Sequence, residues 1–393
     1  MRVIIIGCGG FVGSHLLDRL LARDDVHVEG WDPETHKISQ HLDHPRFTLH
    51  KVTCIDATEL ATLEEHLADA DVLINLAAIC NPSEYNTRPL EVIRSNLFDV
   101  IPIVDLCARA NKWLMHFSTS EVYGRTLLSY LPDDAVENPD LFELREDSTP
   151  LIMGPVVNQR WTYACAKQMI ERYIYAHHNS SGMPFTIIRP LNFFGPKMDY
   201  IPRRTDEGVP RVLACFMAAL LNREPMRLVD GGNARRTIVA VEEAMAAVER
   251  ALDRPAQARN RTFNIGNRAN EVTMRELAFA MREVYADITG DESYRRHPVV
   301  DVSAEEFYGP GYEDCDRRMP DLSQAEQYLG WTPSRNLVEI LLPAMRDYHD
   351  RYFSELAAEP GMTGRVPATG SGVPSAREGL TELSYAPASS SHS

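Results

Sequence analysis

Lysine is scarce in this chain, basic residues are outnumbered, and a long apolar run is missing. Five of the 40 basic residues are lysine, and 56 acidic residues bring the formal net charge to −16. Such an acidic chain has no general attraction for nucleic acid or an anionic membrane, so we expect neither as a partner. An anionic ligand must then be held by locally placed arginines.

Paired cysteines are missing as well. The seven cysteines are widely scattered and form no Cys-x-x-Cys pair. This argues against a disulfide framework or a zinc site and favours a reducing compartment. No stretch reaches about 18 apolar residues, and no leader pattern precedes the apolar run at 3–6. We therefore expect a cytoplasmic protein without a metal site and without a membrane span.

Short apolar runs alternate with stretches of helical periodicity over the first half of the chain. This alternation predicts βαβ units and an α/β fold, a Rossmann-type doubly wound parallel sheet. The apolar runs cover residues 3–6, 26–31, 47–49, 72–76, 114–118 and 186–189, and the helical stretches cover 11–23, 58–68, 89–110 and 160–178.

Beyond residue 190 the alternation loosens, which predicts a second part of the chain. We expect residues 1–190 to bind the cofactor and carry the catalytic groups. Residues 191–357 are predicted to form mainly a smaller C-terminal substrate-binding lobe, with elements that return to the sheet. Residues 358–393 are rich in small residues and proline and are predicted to be a disordered tail.

A glycine-rich turn follows the first predicted strand directly. Gly7, Gly10 and Gly13 are spaced three apart, and Phe11 and Val12 open the next helix. Glycines there allow a tight turn and bring the backbone close to a pyrophosphate at the helix N-terminus. A plain strand-to-helix turn is the alternative interpretation.

A carboxylate marks the end of the second predicted strand. Asp32 lies 19 residues after Gly13, where it can accept the ribose hydroxyls of NAD and repel the phosphate of NADP. The alternative is a surface aspartate that starts a turn before Pro33. Asp56, after the third apolar run, is a candidate adenine contact. Together these features predict NAD as the cofactor.

A phenol and an ammonium group stand one helical turn apart in the stretch 160–178. Tyr163 and Lys167 share a helix face, and a nearby cation lowers the pKa of a tyrosine that must remove a proton from an alcohol. Upstream, Thr119, Ser120 and Glu121 follow a predicted strand, at the sheet edge where open α/β sheets bind ligands.

With these motifs the chain resembles the extended short-chain dehydrogenase/reductases over about residues 1–356. It is most similar to their UDP-glucuronate decarboxylase group, and within it to the UDP-apiose/UDP-xylose synthases. The segments that carry the resemblance are AAICNPSEY at 77–85, STSEVYG at 118–124, QRWTYACAK at 159–167, EGVPRVLACF at 207–216 and FYGPGYEDCDRR at 307–318.

The resemblance implies an NAD-dependent lyase that oxidises C4 of UDP-glucuronate and then releases carbon dioxide. It implies that Tyr163 takes the C4 hydroxyl proton, Lys167 tunes it and binds the nicotinamide ribose, and Thr119 orients the hydroxyl. Glu121 is implied as an acid/base, and Arg318 as a carboxylate contact or proton donor. The product stays open among the 4-keto-pentose, xylose and apiose nucleotides.

The same resemblance supplies the remaining candidate contacts. Cys80, Tyr85 and Arg160 are implied near the sugar, and Ser120 stands where apiose-forming members carry a second cysteine. A homodimer is implied through the helices at 89–110 and 160–178. The predicted nucleotide contacts are Asn192, Arg211, Arg227, Arg236 and Tyr312.

Other interpretations stay open at this point. A nucleotide-sugar 4-epimerase or a simple dehydrogenase would have the same cofactor turn. A non-catalytic NAD sensor would not need Tyr163 and Lys167. Glu121 is alternatively a structural carboxylate, Arg318 an ion-pair partner of Asp314 or Asp316, and Cys80 a small buried hydrophobic residue.

Overall fold

A sheet of seven parallel strands forms the centre of the protein. The structure is a computed structural model that describes residues 1–53, 57–131, 138–200, 210–308 and 313–358. In chain order the described strands are β1 (Arg2–Ile6), β2 (His27–Trp31), β3 (Phe47–His50), β4 (Val72–Asn75), β5 (Trp113–Phe117), β6 (Glu143–Leu144), β7 (Phe185–Pro190), β8 (Phe193–Phe194), β9 (Met226–Val229), β10 (Arg235–Thr237), β11 (Val239–Ala240), β12 (Arg261–Ile265), β13 (Glu271–Thr273), β14 (Val299–Val302) and β15 (Arg317–Pro320).

The order of strands in the main sheet is β3-β2-β1-β4-β5-β7-β12, and all neighbours are parallel. The order reverses between β1 and β4, which is the point where a doubly wound sheet opens a crevice at the strand ends. Strands β4 and β5 are buried along their whole length because helices cover both faces. The predicted fold class is confirmed.

Helices connect the strands and cover the sheet. The stretch predicted as one helix over 89–110 is instead two helices with a π-helical turn, Arg94–Phe98, between them. Pro102 fits only the first turn of a helix, so a new helix begins at Ile101. The described helices are α1 (Phe11–Leu21), α2 (Ala57–Asp69), α3 (Pro82–Thr87), α4 (Pro89–Ile93), α5 (Ile101–Arg109), α6 (Thr162–Ser181), α7 (Val212–Asn222), α8 (Val241–Asp253), α9 (Pro255–Ala258), α10 (Met274–Thr289), α11 (Ala304–Tyr308) and α12 (Leu337–Ala358).

A second sheet of four strands has the order β13-β10-β15-β6. Parallel pairing of β10 with β15 sets Arg236 directly beside Arg318. Strand β12, although it lies beyond residue 190 in the chain, pairs with β7 in the main sheet. The predicted division at residue 190 stays a prediction, because 1–352 form one compact unit.

The end of the chain forms the second unit, from residue 353. It is described only to Ala358, where α12 ends, so residues 359–393 of the predicted tail lie outside the described residues. No helix in the described ranges combines the length and the apolar character needed to cross a bilayer.

A buried polar network ties α6 to the ends of β7 and β12. The Arg189 guanidinium donates to both carboxylate oxygens of Glu171, at 3.1 and 2.6 Å, and to the Tyr123 hydroxyl at 2.8 Å. Tyr123 donates to the Asn264 side-chain oxygen, and the Asn264 amide donates to the Leu144 carbonyl. Because every member is bonded, the network stabilises the frame on which the strand-end loops rest.

Replacing Glu146 by glutamine should stabilise the protein in mildly alkaline solution. Burial raises the pKa of Glu146 to about 7, from its ordinary 4.5. The protonated carboxyl is therefore favoured by folding, and this contribution is full below pH 4.5 and lost as the pH rises through 7. Glutamine stays neutral and keeps an oxygen for the Asn264 N–H.

We expect Glu146→Gln to raise the free energy of unfolding by about 1–3 kcal/mol near pH 8.5, and by less than about 0.5 kcal/mol near pH 4.5. Urea unfolding at the two pH values measures the difference. The exposed Glu305→Gln change on α11 is the matched control. An equal effect of Glu146→Gln at both pH values would contradict the assignment.

Candidate active site

A cavity of about 790 Å³ opens where the chain leaves the carboxyl ends of β4, β5 and β7. Gly7, Gly10, Gly13 and Asp32 are not part of its lining. Asp56 and Tyr312 lie outside the described residues. The lining includes fifteen of the predicted site residues: Phe11, Val12, Cys80, Tyr85, Thr119, Ser120, Glu121, Arg160, Tyr163, Lys167, Asn192, Arg211, Arg227, Arg236 and Arg318.

The glycine-rich turn leaves the N-terminus of α1 open. Gly7 has a φ of +90°, and its N–H donates to the Trp31 carbonyl of β2 at 2.9 Å. A Cβ added at Gly13 would collide with the Gly7 carbonyl oxygen. Gly10 stands at the helix start without a side chain to cap it. The unbonded N–H groups of the first turn therefore fit a dinucleotide pyrophosphate.

Asp32 is buried beside this turn and not on the surface. One carboxylate oxygen accepts the Gly9 N–H and the other the Glu34 N–H, each at 2.8 Å. Burial outweighs these bonds and raises the pKa of the carboxyl above its ordinary value. The turn interpretation is thus partly correct, because Asp32 does organise the chain after β2 while its remaining lone pairs can serve a ribose.

Tyr163 and Lys167 lie on α6 with their side chains buried against the end of β5. The Lys167 ammonium donates to the Phe117 carbonyl at 2.9 Å, and the Tyr163 phenol is hydrogen-bonded to Thr119. Burial lowers the pKa of Lys167 to about 8.

The expected lowering of the tyrosine pKa is wrong for the protein without ligands. Burial raises the pKa of Tyr163 well above 10, and the nearby Cys80 and Glu121 add to this effect. The phenol is therefore protonated near neutral pH.

Glu121 joins three separate segments of the chain. It lies in the short 3₁₀ turn Ser120–Tyr123 after β5, where the Thr119 hydroxyl accepts its N–H. Arg160 donates to both carboxylate oxygens, at 2.5 and 3.1 Å, and Arg318 of β15 donates at 2.5 Å. Burial alone would raise the pKa of Glu121, but the two guanidinium groups hold it well below its ordinary value.

Arg318 is buried and pairs with Glu121, so the alternative of a surface pair with Asp314 or Asp316 is wrong. Asp314 instead lies between two other arginines, 3.9 Å from Arg160 and 2.7 Å from Arg236. Sequence reasoning missed this role, although Asp314 stands inside the segment 307–318.

Aromatic and thiol groups complete the sugar side of the cavity. The Tyr85 ring stacks on the Tyr163 ring, with centroids 5.0 Å apart, and its hydroxyl donates to the Cys80 carbonyl at 3.0 Å. Cys80 is exposed, so the alternative of a buried hydrophobic residue is wrong. Arg125 also lines the cavity and was missed, although it directly follows the segment 118–124.

The predicted nucleotide contacts differ in their hydrogen-bond partners within the protein and in their exposure. Asn192 adopts a left-handed conformation with φ of +46° and donates to the Thr237 carbonyl. Arg236 donates to the Cys315 carbonyl, and Arg211 is held by the Asp199 carboxylate at 2.6 Å. Arg227 is exposed. Burial works against the charge of Arg211, yet Asp199 raises its pKa, so it stays a cation.

Comparison with known proteins defines the class. Residues 3–266 match the model of the NAD dependent epimerase/dehydratase family, and the chain belongs to this family. The predicted short-chain dehydrogenase/reductase membership, an enzyme of this class and NAD as cofactor are confirmed.

Individual relatives indicate a narrower group of enzymes than the family model does. The chain is 45% identical over 362 residues to UDP-D-apiose/UDP-D-xylose synthase of Oryza sativa subsp. japonica, covering 90% of each chain. It is 46% identical over 363 residues to UDP-D-apiose/UDP-D-xylose synthase 1 of Arabidopsis thaliana, covering 90% of this chain and 92% of the other. The predicted similarity to these synthases is confirmed.

Solved structures share the fold. The PbgP3 protein of Burkholderia pseudomallei is 29% identical with a TM-score of 0.74, over 91% of this chain and 97% of that chain. UDP-glucuronic acid 4-epimerase of Bacillus cereus, solved with NAD, has a TM-score of 0.70 at 19% identity, over 90% of this chain and 100% of that chain. At the latter identity the likeness concerns the fold alone.

Removing the charge of Asp32 should weaken the preference for NAD over NADP. In Asp32→Asn the side-chain oxygen still accepts a backbone N–H of the turn, while the repulsion of a 2′-phosphate is lost. We expect the ratio of NAD to NADP affinity to fall at least about tenfold, or about 1.4 kcal/mol. Isothermal titration with both cofactors measures it, Asp24→Asn at an exposed position is the control, and an unchanged ratio would contradict the role.

Proposed function

We propose that this protein oxidises C4 of UDP-glucuronate with NAD, releases C6 as carbon dioxide, and returns the 4-keto-pentose as UDP-xylose. The observation that carries the proposal is the Glu121 carboxylate, held by buried Arg160 and Arg318 in the same cavity as Tyr163. The names of the relatives from rice and Arabidopsis, which specify pentose nucleotides, support it.

Oxidation comes first in this scheme. Tyr163 takes the proton of the C4 hydroxyl as the phenolate and becomes the phenol, and Thr119, in the same cavity lining, orients that hydroxyl. When bound, NAD supplies the hydride acceptor for C4 and a positive charge beside the phenol.

Decarboxylation follows from the chemistry of the ketone. A C4 ketone is β to the C5 carboxylate, so the C5–C6 bond breaks with its electrons flowing into an enolate on the C4 oxygen. The protonated Tyr163 phenol stabilises that oxygen as a hydrogen-bond donor. The protein must also hold the carboxylate so that the C5–C6 bond stands out of the plane of the C4 ketone. The forked donors of a guanidinium group suit this task.

The charge states of Arg318 and Glu121 indicate their roles in the reaction. Burial works against the charge of Arg318, but Glu121 raises its pKa, so Arg318 is a carboxylate contact and not a proton donor. Glu121 is ionised, but the two guanidinium groups make it a weak base, so we assign it to positioning Arg160 and Arg318. Two buried guanidinium groups in the cavity suit a substrate that carries a carboxylate, as UDP-glucuronate does.

Replacing Tyr163, Glu121 and Arg318 should separate the two chemical steps. Tyr163→Phe should abolish both NADH formation and carbon dioxide release, because oxidation precedes decarboxylation. Glu121→Gln and Arg318→Met should slow carbon dioxide release by about two orders of magnitude or more, roughly 3 kcal/mol of transition-state stabilisation. Release of labelled carbon dioxide from C6-labelled UDP-glucuronate measures all three.

The matched control is Arg317→Met, the neighbouring arginine of β15 that pairs with Glu271 instead. It should keep its rate if Arg318 acts through its own contacts. Absence of carbon dioxide release by the wild type with NAD would falsify the decarboxylase proposal and favour a 4-epimerase or dehydrogenase. Bound NAD with no turnover of any nucleotide sugar would favour the NAD sensor.

The product is decided by what happens after carbon dioxide leaves. Ring contraction to apiose needs removal of the C2 hydroxyl proton, and Ser120 lines the cavity at the position where the resemblance implies a cysteine in apiose-forming members. We propose UDP-xylose as the main product, with UDP-4-keto-pentose released alongside it. NMR of the products made from UDP-glucuronate and catalytic NAD distinguishes these from UDP-apiose.

We further propose a homodimer formed by the helical face around α4 and α6, acting in the cytoplasm. Large apolar side chains are exposed there, with relative exposures of 79% for Leu90, 60% for Phe98 and 53% for Met169. Such exposure on helices that pack against each other favours a covered surface. The six cysteines in the described residues are free thiols, which supports a reducing compartment.

Charged groups on this face should dissociate the dimer. We expect Leu90→Asp with Phe98→Asp to convert a dimeric mass into a monomeric one at micromolar concentration, because burying the carboxylates costs more than the contact supplies. Light scattering measures the mass, and Leu127→Asp, exposed elsewhere, is the control. A monomeric wild type would remove the proposal.

A further inference from the structure

Three side chains of the kind that bind metals meet at the outer edge of the main sheet, away from the cavity. Glu29 lies in β2, His50 ends β3, and His66 lies on α2. Their ligand atoms all lie within 4.8 Å of one another. None of the three belongs to the cavity lining, so the cluster is separate from the site described above.

Strand register and helix packing bring the three together. In the parallel pair, Glu29 is opposite Thr48, and His50 is two residues further along β3 on the same face. Leu63 and Leu67 of α2 pack in the core that also contains Trp31 of β2. This packing sets His66, which lies between the two leucines in sequence, over the same face.

The spacing fits a tetrahedral ion. Ligand atoms at the usual zinc distances of about 2.0–2.2 Å lie about 3.3 Å from each other in a tetrahedron. A Glu29 carboxylate oxygen is 3.6 Å from His50 Nε2 and 2.7 Å from His66 Nδ1, which brackets that value. All three ligand atoms lie within 4.8 Å of one another, so they can share one ion after side-chain rotation.

The His50 ring is already held in position. The Trp31 indole stacks on it with centroids 4.2 Å apart and planes 14° from parallel. Its Nε2 is shielded from solvent and has no hydrogen-bond partner among the described residues. A buried polar atom without a partner is costly and calls for a ligand.

We propose that Glu29, His50 and His66 bind one zinc ion, with water as the fourth ligand. Two imidazoles and one carboxylate form a ligand set that zinc accepts. This proposal departs from the expectation of no metal site, which rested on cysteine spacing and did not consider histidine and carboxylate ligands. The ion would join β2, β3 and α2, and it would steady Trp31, whose carbonyl accepts the Gly7 N–H of the cofactor turn.

Zinc titration of the whole untagged chain, stripped with a chelator, tests the site. We expect one zinc ion per chain by calorimetry and elemental analysis. Saturation at about 100 times the dissociation constant should raise the melting temperature by about 4 °C. Cobalt(II) in place of zinc should give the visible absorption of a four-coordinate nitrogen and oxygen site.

Variants assign the ligands. His66→Ala and Glu29→Gln should each weaken zinc binding about 100-fold or more, because one of three protein ligands is lost. His41→Ala is the matched control, since His41 pairs with the Asp18 carboxylate at 2.6 Å outside the cluster, and it should bind zinc normally. Retained NAD binding shows that a variant is folded.

The opposite outcomes overturn the proposal. A wild type that takes up no zinc at about 10 μM free ion would leave only a histidine–carboxylate ion pair at this edge. Binding that survives in both His66→Ala and Glu29→Gln would place the ion elsewhere in the chain, and a cobalt spectrum with sulfur-to-metal bands would assign it to a cysteine. None of these readouts depends on the proposed sugar chemistry.

Discussion

The active site depends on one buried carboxylate that two arginines share. Glu121 is 39 residues from Arg160 and 197 residues from Arg318 in the chain, yet both donate to it. A buried charge without a partner is strongly destabilising, so these three groups must stay together for the fold to persist. Their pairing draws the loop after β5, the start of α6 and strand β15 around a single cavity.

Burial also governs the reactivity of the catalytic pair. Tyr163 and Lys167 are packed against the end of β5, and the pKa of the phenol rises while that of the ammonium falls to about 8. Both shifts disfavour the charged forms of the two side chains.

Polar side chains also cluster at the outer edge of the main sheet. Glu29, His50 and His66 share a partly buried position, and the Trp31 backbone links that edge to the glycine turn. The Arg189–Glu171 pair likewise joins α6 to the end of β7. Buried or partly buried polar groups thus connect helices to strands at both places.

Local patterns in the sequence determined the parallel sheet, the cofactor turn and the Tyr163–Lys167 pair, because each depends on residues within one strand–turn–helix unit. Side-chain period and glycine spacing are enough for such features. The break between α4 and α5 went unrecognised because a single proline at 102 decided it. Only the tertiary structure decided which carboxylate Arg318 binds, the place of Asp314 between two arginines, the raised pKa of Tyr163 and the meeting of Glu29 with His50 and His66. Each of these results from long-range packing and desolvation, which depend on residues far apart in the chain.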